Sequence, residues 1–260
     1  MIAVCRRRGP GPSTASAKRW RRPISLNTSS ADSPQPSHQR ATSRISSRGA
    51  GPWKTFVKRD SWNARYRAVD LVWGSEPNRF VAEALGQRKP SGRALDLACG
   101  EGRNAIWLAK QGWAVTAVDY SDVAIERGRQ LATAEGVDLD WICEDVTSVA
   151  LPSKAFDLAV VSYLQVPRED MQAVLARIAD ALASEGQLFM IGHALRNLTE
   201  GTGGPQHPSV LWNPETLAED VAAVGLQVER CEEVIRPVET DDGPRSAIDV
   251  LVDARQTRFA

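Results

Sequence analysis

From residue 77 onward, short apolar runs alternate with stretches in which apolar residues recur every three or four positions, the pattern of buried strands separated by amphipathic helices. Pro77 starts a helix with Phe80, Val81, Ala84 and Leu85 on one face and Gly86 near its end. A first strand covers about 93 to 98. Ala105, Ile106, Leu108 and Ala109 form the buried face of a helix closed by Gly112, and a second strand covers about 113 to 118. Ser121 caps the next helix, which runs to about Ala134, and Leu139 to Ile142 forms a third strand ending near Asp145. Phe156 to Ser162 reads as an apolar fourth strand. Met171, Val174, Leu175, Ile178 and Leu182 then recur at helical spacing until Gly186, and Gln187 to Ile191 forms a fifth strand. Asn213-Pro214 caps and opens a helix that buries Leu217, Val221 and Val224 and stops at Gly225. The last two strands, about 226 to 235 and 246 to 254, are joined by Thr240-Asp241-Asp242-Gly243-Pro244, short enough for a hairpin. This alternation predicts an α/β fold with a doubly wound, mainly parallel seven-stranded sheet that closes in an antiparallel C-terminal hairpin.

The densest chemistry lies between the first two strands. Arg93-Ala94-Leu95-Asp96-Leu97-Ala98-Cys99-Gly100-Glu101-Gly102-Arg103-Asn104-Ala105, followed by Ala114 to Asp119, describes a strand, a glycine-rich turn, a helix and a second strand ending in an acid. A turn without Cβ atoms lets backbone approach a ligand closely, and an acid at the next strand tip suits the two hydroxyls of a ribose. Gly100, Gly102 and Ala105 also satisfy the G-x-G-x-x-A pattern of dinucleotide dehydrogenases. Three features point elsewhere. Asp96, four residues before Gly100, would repel a pyrophosphate and welcome a cation. Asp145, ending the third strand, is placed for an adenine amino group. After the cradle about 155 residues remain, all consumed by one sheet, so no separate catalytic domain is left for hydride transfer. The expected ligand is an adenosine with a positive charge at its far end.

Composition divides the chain in two. Residues 1–52 hold ten Lys or Arg, one acid, ten Ser and six Pro with no apolar run, so this segment is expected to be disordered and residues 53–260 to form the folded domain. Of the 32 basic and 32 acidic residues, 22 and 31 then belong to the domain, which is formally −9 although the whole chain balances to zero. The segment resembles an organellar transit peptide, or an upstream reading frame translated from a wrongly chosen start codon, the second being favoured. No 18-residue apolar stretch follows the early arginines, so a soluble, cytoplasmic protein is expected. The four cysteines are scattered and the histidines are only His38, His193 and His207, which indicates neither a disulfide framework nor a metal site.

Taken in order, Asp96-x-Ala98-x-Gly100-x-Gly102, Asp119, Asp145-Val146 and Phe156-Asp157 resemble the motifs of class I S-adenosylmethionine-dependent methyltransferases, over essentially all of residues 60 to 255. Ala98 departs from the glycine usual in that family. Trp62-x-x-Arg65-Tyr66, the run Leu97 to Asn104 and Asn197-Leu198-Thr199-Glu200-Gly201 look more narrowly like the tellurite-resistance and thiopurine-type enzymes, which act on small molecules. The resemblance implies S-adenosyl-L-methionine as cofactor. It places Asp119 and Tyr120 at the ribose and adenine, Asp145 and the Val146 amide at the adenine edge, and Ala98, Gly100 and Gly102 along the methionine part. Asp96 then bonds the methionine amine or braces the turn, and Arg103 or Arg65 meets its carboxylate.

Tyr163, just past the fourth strand, is expected to line the methyl-donor cleft, and His193, at the end of the fifth, is the candidate base for an oxygen or nitrogen acceptor. For a soft, already anionic sulfur, selenium or tellurium acceptor, His193 would only orient the substrate. Trp62, Arg65, Tyr66 and Trp73 are candidate acceptor contacts, with ordinary packing as the competing reading. The basic first 52 residues raise a second class, a macromolecule methyltransferase or an RNA-associated adenosylmethionine binder. Against it stand the acidic domain and Ser162-Tyr163-Leu164-Gln165, which lacks the Asn/Asp-Pro-Pro-Tyr sequence of amino-methylating nucleic-acid enzymes.

Overall fold

The computed structural model describes residues 59–87 and 92–257. Residues 1–52, for which disorder is expected, lie outside that range. Seven helices and seven strands follow one another as α1 (Arg59–Ala68), α2 (Arg79–Leu85), β1 (Arg93–Leu97), α3 (Arg103–Lys110), β2 (Ala114–Val118), α4 (Asp122–Glu135), β3 (Asp140–Ile142), β4 (Phe156–Ser162), α5 (Arg168–Ala181), β5 (Leu182–His193), α6 (Asn197–Glu200), α7 (Pro214–Ala223), β6 (Leu226–Thr240) and β7 (Gly243–Gln256). They form a single seven-stranded sheet in the order β3-β2-β1-β4-β5-β7-β6. The first five strands of that order run parallel, and β7 pairs antiparallel with both β5 and β6.

The sheet is buried on both faces, which is why its central strands read as continuous apolar runs. Side chains alternate between two cores. Leu95, Leu97, Ala159 and Val161 pack with Val174, Leu175 and Ile178 of α5 and with Leu217 and Val221 of α7. Ala94, Ala117, Leu158 and Val160 pack on the other side with Phe80 of α2, Ile106 and Leu108 of α3, and Ile125 of α4. Because β2 and β3 are added on one side of β1 and β4 on the other, a crevice opens at the strand ends where the direction of winding reverses, the usual ligand position in such sheets. Among the described residues no helix is long and apolar enough to cross a membrane.

Local signals act as their chemistry dictates. The Ser121 hydroxyl accepts the Ala124 amide at the start of α4, and the Asn213 side chain accepts the Thr216 amide at the start of α7 with Pro214 in the first turn. Three boundaries differ from those expected. Asn78 is the cap of α2, accepting the Phe80 and Val81 amides, so Pro77 precedes the helix instead of opening it. α5 stops at Ala181, not at Gly186, because Leu182 is fully buried and pairs with Phe156, which makes the chain extended four residues before the glycine. The C-terminal strands are longer than their apolar cores: Thr240 pairs with Gly243 across a two-residue turn, since backbone pairing continues past the last buried side chain.

Ala98, at the end of β1, has φ +57, in the left-handed region that costs a residue with a Cβ about 1–2 kcal/mol. Ala98→Gly is therefore expected to raise the unfolding free energy by about 0.5–1 kcal/mol after glycine's greater unfolded-state entropy is subtracted. Urea denaturation checks this, and an unchanged or lower midpoint would show that the turn is not strained there.

Candidate active site

β1 is short and buried, so the chain leaves it deep in the molecule and turns through Ala98, Gly100 and Gly102, all with positive φ, before α3 begins. The turn has no spare room. A Cβ on Gly100 would lie 2.7 Å from the Tyr66 hydroxyl, and one on Gly102 would run into the Trp141 ring. Asp119, at the end of β2, ties the turn down: its Oδ2 accepts the Gly100 amide at 2.9 Å and its Oδ1 accepts the Ser121 amide at 2.8 Å. Each of these oxygens keeps a second lone pair for a ligand. Burial pushes the Asp119 pKa up, against the two amide bonds, which favour the carboxylate.

Asp96 lies beneath the same turn. It is 1% exposed, and neither carboxylate oxygen has a hydrogen-bond partner among the described residues. Burial pushes its pKa up to about 7, a shift opposed by the nearby Ala105 amide, which does not reach hydrogen-bond geometry, and by the Arg103 guanidinium of α3, and reinforced by Asp119. A buried acid without a partner is costly unless something completes it. This one faces the start of α3, where Gly102 supplies no capping side chain.

These features border a cavity of about 350 Å³. Its floor includes Ala98, Gly100, Arg103 and Asp119, and one end includes Tyr120, Asp145 and Val146. Trp62, Tyr66 and Trp73 form a wall, and Tyr163 borders the end beyond β4. Asp96, Gly102, Arg65 and His193 are not part of the lining. The Arg65 guanidinium lies over the rings of both Trp62 and Trp73, 5.2 and 4.7 Å from their centroids. Arg103 donates to the Trp73 carbonyl at 2.9 Å, and burial lowers its pKa. Asp145 accepts the Thr147 amide and hydroxyl at 2.8 and 2.7 Å, which shapes the turn after β3. The Tyr120 hydroxyl is buried without a partner among the described residues, and desolvation together with Asp119 and Asp145 raises its pKa.

The His193 ring packs at a tilt against Tyr163, with ring centroids 4.7 Å apart, and lies close to the backbone at Gly204. Both residues are held by Asp249 of β7, which is fully buried. Asp249 Oδ1 lies 3.0 Å from His193 Nδ1, and Oδ2 accepts the Tyr163 hydroxyl at 2.8 Å and Arg236 Nε at 3.0 Å. Burial alone would raise the Asp249 pKa, but the bonds from His193, Arg236 and Tyr163 hold it below the usual carboxylate value. The Tyr163 pKa is pushed up to about 12 by burial and by the neighbouring Asp249 charge, so the phenol stays protonated as a donor. Tyr163 also sits at φ +56, a strained conformation fixed by this network.

Sequence reasoning passed over Asp249, Arg236 and Asn104. Asp249 carries a legible signal, a single acid inside the apolar run Ala247 to Val252. Asn104 is buried at the cavity floor, where it accepts the Asn78 amide at 2.8 Å and donates to Ser162 at 3.1 Å. It closes the motif run Leu97 to Asn104, but that run gave it no role of its own. Among the described residues no group of three or more His, Cys, Asp and Glu is placed to hold a metal ion.

Comparison with known proteins agrees with this geometry. Residues 94–186 match the family model described as a methyltransferase domain. A putative methyltransferase of Geobacillus sp. is 30% identical over 122 residues, which cover 44% of this chain and 49% of that protein. The ubiquinone biosynthesis O-methyltransferase of Coxiella burnetii is 28% identical over 95 residues, covering 36% of this chain and 41% of that protein. The chain thus matches about half the length of these curated relatives or less. The crystal structure of TehB from Haemophilus influenzae superposes with a TM-score of 0.60 at 16% identity, over 76% of this chain and 67% of that one. Residues 94–186 are thus similar to a methyltransferase domain, and the chain has the α/β, Rossmann-like fold seen in solved methyltransferases.

Proposed function

We propose that this protein, through a domain spanning residues 53–260, is an S-adenosylmethionine-dependent methyltransferase acting on a small-molecule nucleophile, with sulfur, selenium, tellurium or oxygen as the acceptor atom. The observation that carries the reading is the pair of buried carboxylates, Asp96 and Asp119, under one glycine turn. A pyrophosphate would meet like charge there, whereas an adenosine with a cationic tail finds an acid for its ribose and another for its ammonium group. On this reading the free lone pairs of Asp119 take the ribose hydroxyls, Asp145 and the Val146 amide take the adenine edge beside Tyr120, and Arg103 takes the methionine carboxylate. When bound, S-adenosylmethionine supplies a methyl group already activated on a sulfonium. The chain's own contribution is then alignment and exclusion of water, worth several kcal/mol. The bordered cavity, with Trp62, Tyr66 and Trp73 on one side and Tyr163 at the end, supports a small acceptor over a macromolecular one. The quinone-directed relative and the likeness to TehB lend support in the same direction.

We assign His193 to holding Tyr163 through Asp249, and not to abstracting the acceptor's proton, because Tyr163 lines the cavity and His193 does not. Tyr163 is the residue that meets the acceptor.

A tritiated-methyl transfer screen over thiols, selenite, tellurite, phenols and amines tests the activity, and transfer to none of them with tight donor binding would support the non-catalytic alternative. In calorimetry, S-adenosylmethionine and its demethylated product are expected to bind and NAD is not. Asp119→Ala is expected to weaken donor binding by about 1.5–3 kcal/mol, roughly ten- to over a hundredfold. An unchanged dissociation constant would remove Asp119 from the ribose site.

Asp96 yields a pH test. Its raised pKa means that at pH 6 the ligand-free fold carries a proton there, which a bound cation displaces. Calorimetry at pH 6 in buffers of different ionisation enthalpy should register release of close to one proton on donor binding, and Asp96→Asn should abolish it. Release that persists in the variant would place the titrating group elsewhere. Once an acceptor is known, His193→Ala should slow transfer to a thiolate and to a phenol by the same factor; slowing confined to the phenol would restore the histidine as a base.

A further inference from the structure

The segment from Arg59 to Trp73 supplies the aromatic wall of the cavity, yet apolar burial holds little of it. Of α1 only Asn63 and Tyr66 are buried, and Val69, Leu71 and Trp73 are exposed. Polar contacts hold the rest at two ends. At the near end Asn63 donates to Asp122 at 2.7 Å and accepts the Ser121 hydroxyl at 2.6 Å, both at the start of α4. The far end is held by Glu101 and Arg127. Glu101 is the residue between the two cradle glycines, and its side chain, only 5% exposed, is not among those lining the cavity. Its Oε2 accepts the Val72 amide at 2.9 Å, and its Oε1 accepts Arg127 Nη1 at 3.2 Å. The same Arg127 nitrogen reaches the carbonyls of Val69 and Asp70. Two residues later Arg103 holds the Trp73 carbonyl.

We propose that Glu101 and Arg127 are positioning residues: they latch the aromatic wall to the turn that cradles the donor, and so set how fast the donor and its demethylated product leave. The proposal rests on reading the cavity as the S-adenosylmethionine site. The wall segment's backbone groups at 69, 70 and 72 find their partners in this latch instead of in a helix or strand. A segment fastened by a few polar contacts and little apolar burial opens without disturbing the sheet. Because Glu101 belongs to the turn itself, any ligand that fixes the turn also fixes the Val72 anchor, which couples donor binding to closure of the wall.

The test is stopped-flow measurement of S-adenosylmethionine and S-adenosylhomocysteine dissociation by intrinsic fluorescence, to which Trp62 and Trp73 contribute, together with tryptic cleavage at Arg65 and Arg67 in the ligand-free chain. Removing one partner leaves a buried charge unpaired, so the double variant Glu101→Gln/Arg127→Met, in which neither charge remains, is the main probe. Dissociation at least about tenfold faster, equivalent to ~1.4 kcal/mol, and faster cleavage in the segment are expected with the melting temperature little changed. Arg127→Lys should restore part of the slow dissociation, a rescue that loss of fold would not show. Dissociation within twofold of wild type in the double variant, with the wild type binding donor normally, overturns the latch alone. Failure of the wild-type chain to bind either compound overturns both the latch and the functional reading.

Discussion

The site depends on Asp119 and the two backbone amides it holds. By accepting the Gly100 amide with one oxygen and the Ser121 amide with the other, this carboxylate joins the turn after β1 to the turn after β2. Both are strand ends, where peptide groups run out of ladder partners. The arrangement fixes the glycine turn, aligns the start of α4, and leaves one lone pair on each oxygen facing the cavity. Asp96, buried a few residues upstream without a partner, makes the same region costly for the empty fold and favourable for a cation.

The other half of the cavity is organised by a second buried carboxylate of opposite character. Asp119 and Asp96 are raised in pKa by desolvation, whereas Asp249 is lowered, because His193, Arg236 and Tyr163 compensate its burial. It comes from β7, a strand that pairs antiparallel with β5, so that Asp249 lies in register with His193. The C-terminal hairpin therefore contributes more than closure of the sheet: it supplies both the acid and the arginine that fix Tyr163 in its strained backbone conformation. Deep protein dipoles and charges set in advance in this way need no reorganisation when a ligand arrives.

Against these two fixed halves the wall of Trp62, Tyr66 and Trp73 is fastened differently. Its rings pack at a tilt on one another and against Arg65, but its attachment to the domain runs through hydrogen bonds, the exposed Arg59–Asp122 ion pair and the Glu101–Arg127 pair, whose arginine is a quarter exposed. Under the proposed function, a rigid cradle with a polar-fastened cover suits the need to exclude water during transfer and still exchange a large cofactor on every cycle.

How much of this was legible in the sequence follows from the range of each interaction. Binary patterning and local caps determined the strand and helix order, the parallel sheet and its antiparallel close, because side-chain period, helix caps and turn residues act within a few residues of the chain. The cradle was legible for the same reason: Asp96, Gly100, Gly102 and Asp119 lie in one strand-turn-helix-strand unit. Where local signals competed with burial, burial won, as when α5 yielded to the fully buried Leu182 before reaching Gly186. Only the tertiary structure decided that Asp249, 56 residues from His193, is its partner, that the His193 ring packs against Tyr163, and that Glu101 reaches Val72 and Arg127. These are contacts between side chains far apart in the chain, brought together by sheet register and helix packing. No local periodicity encodes them.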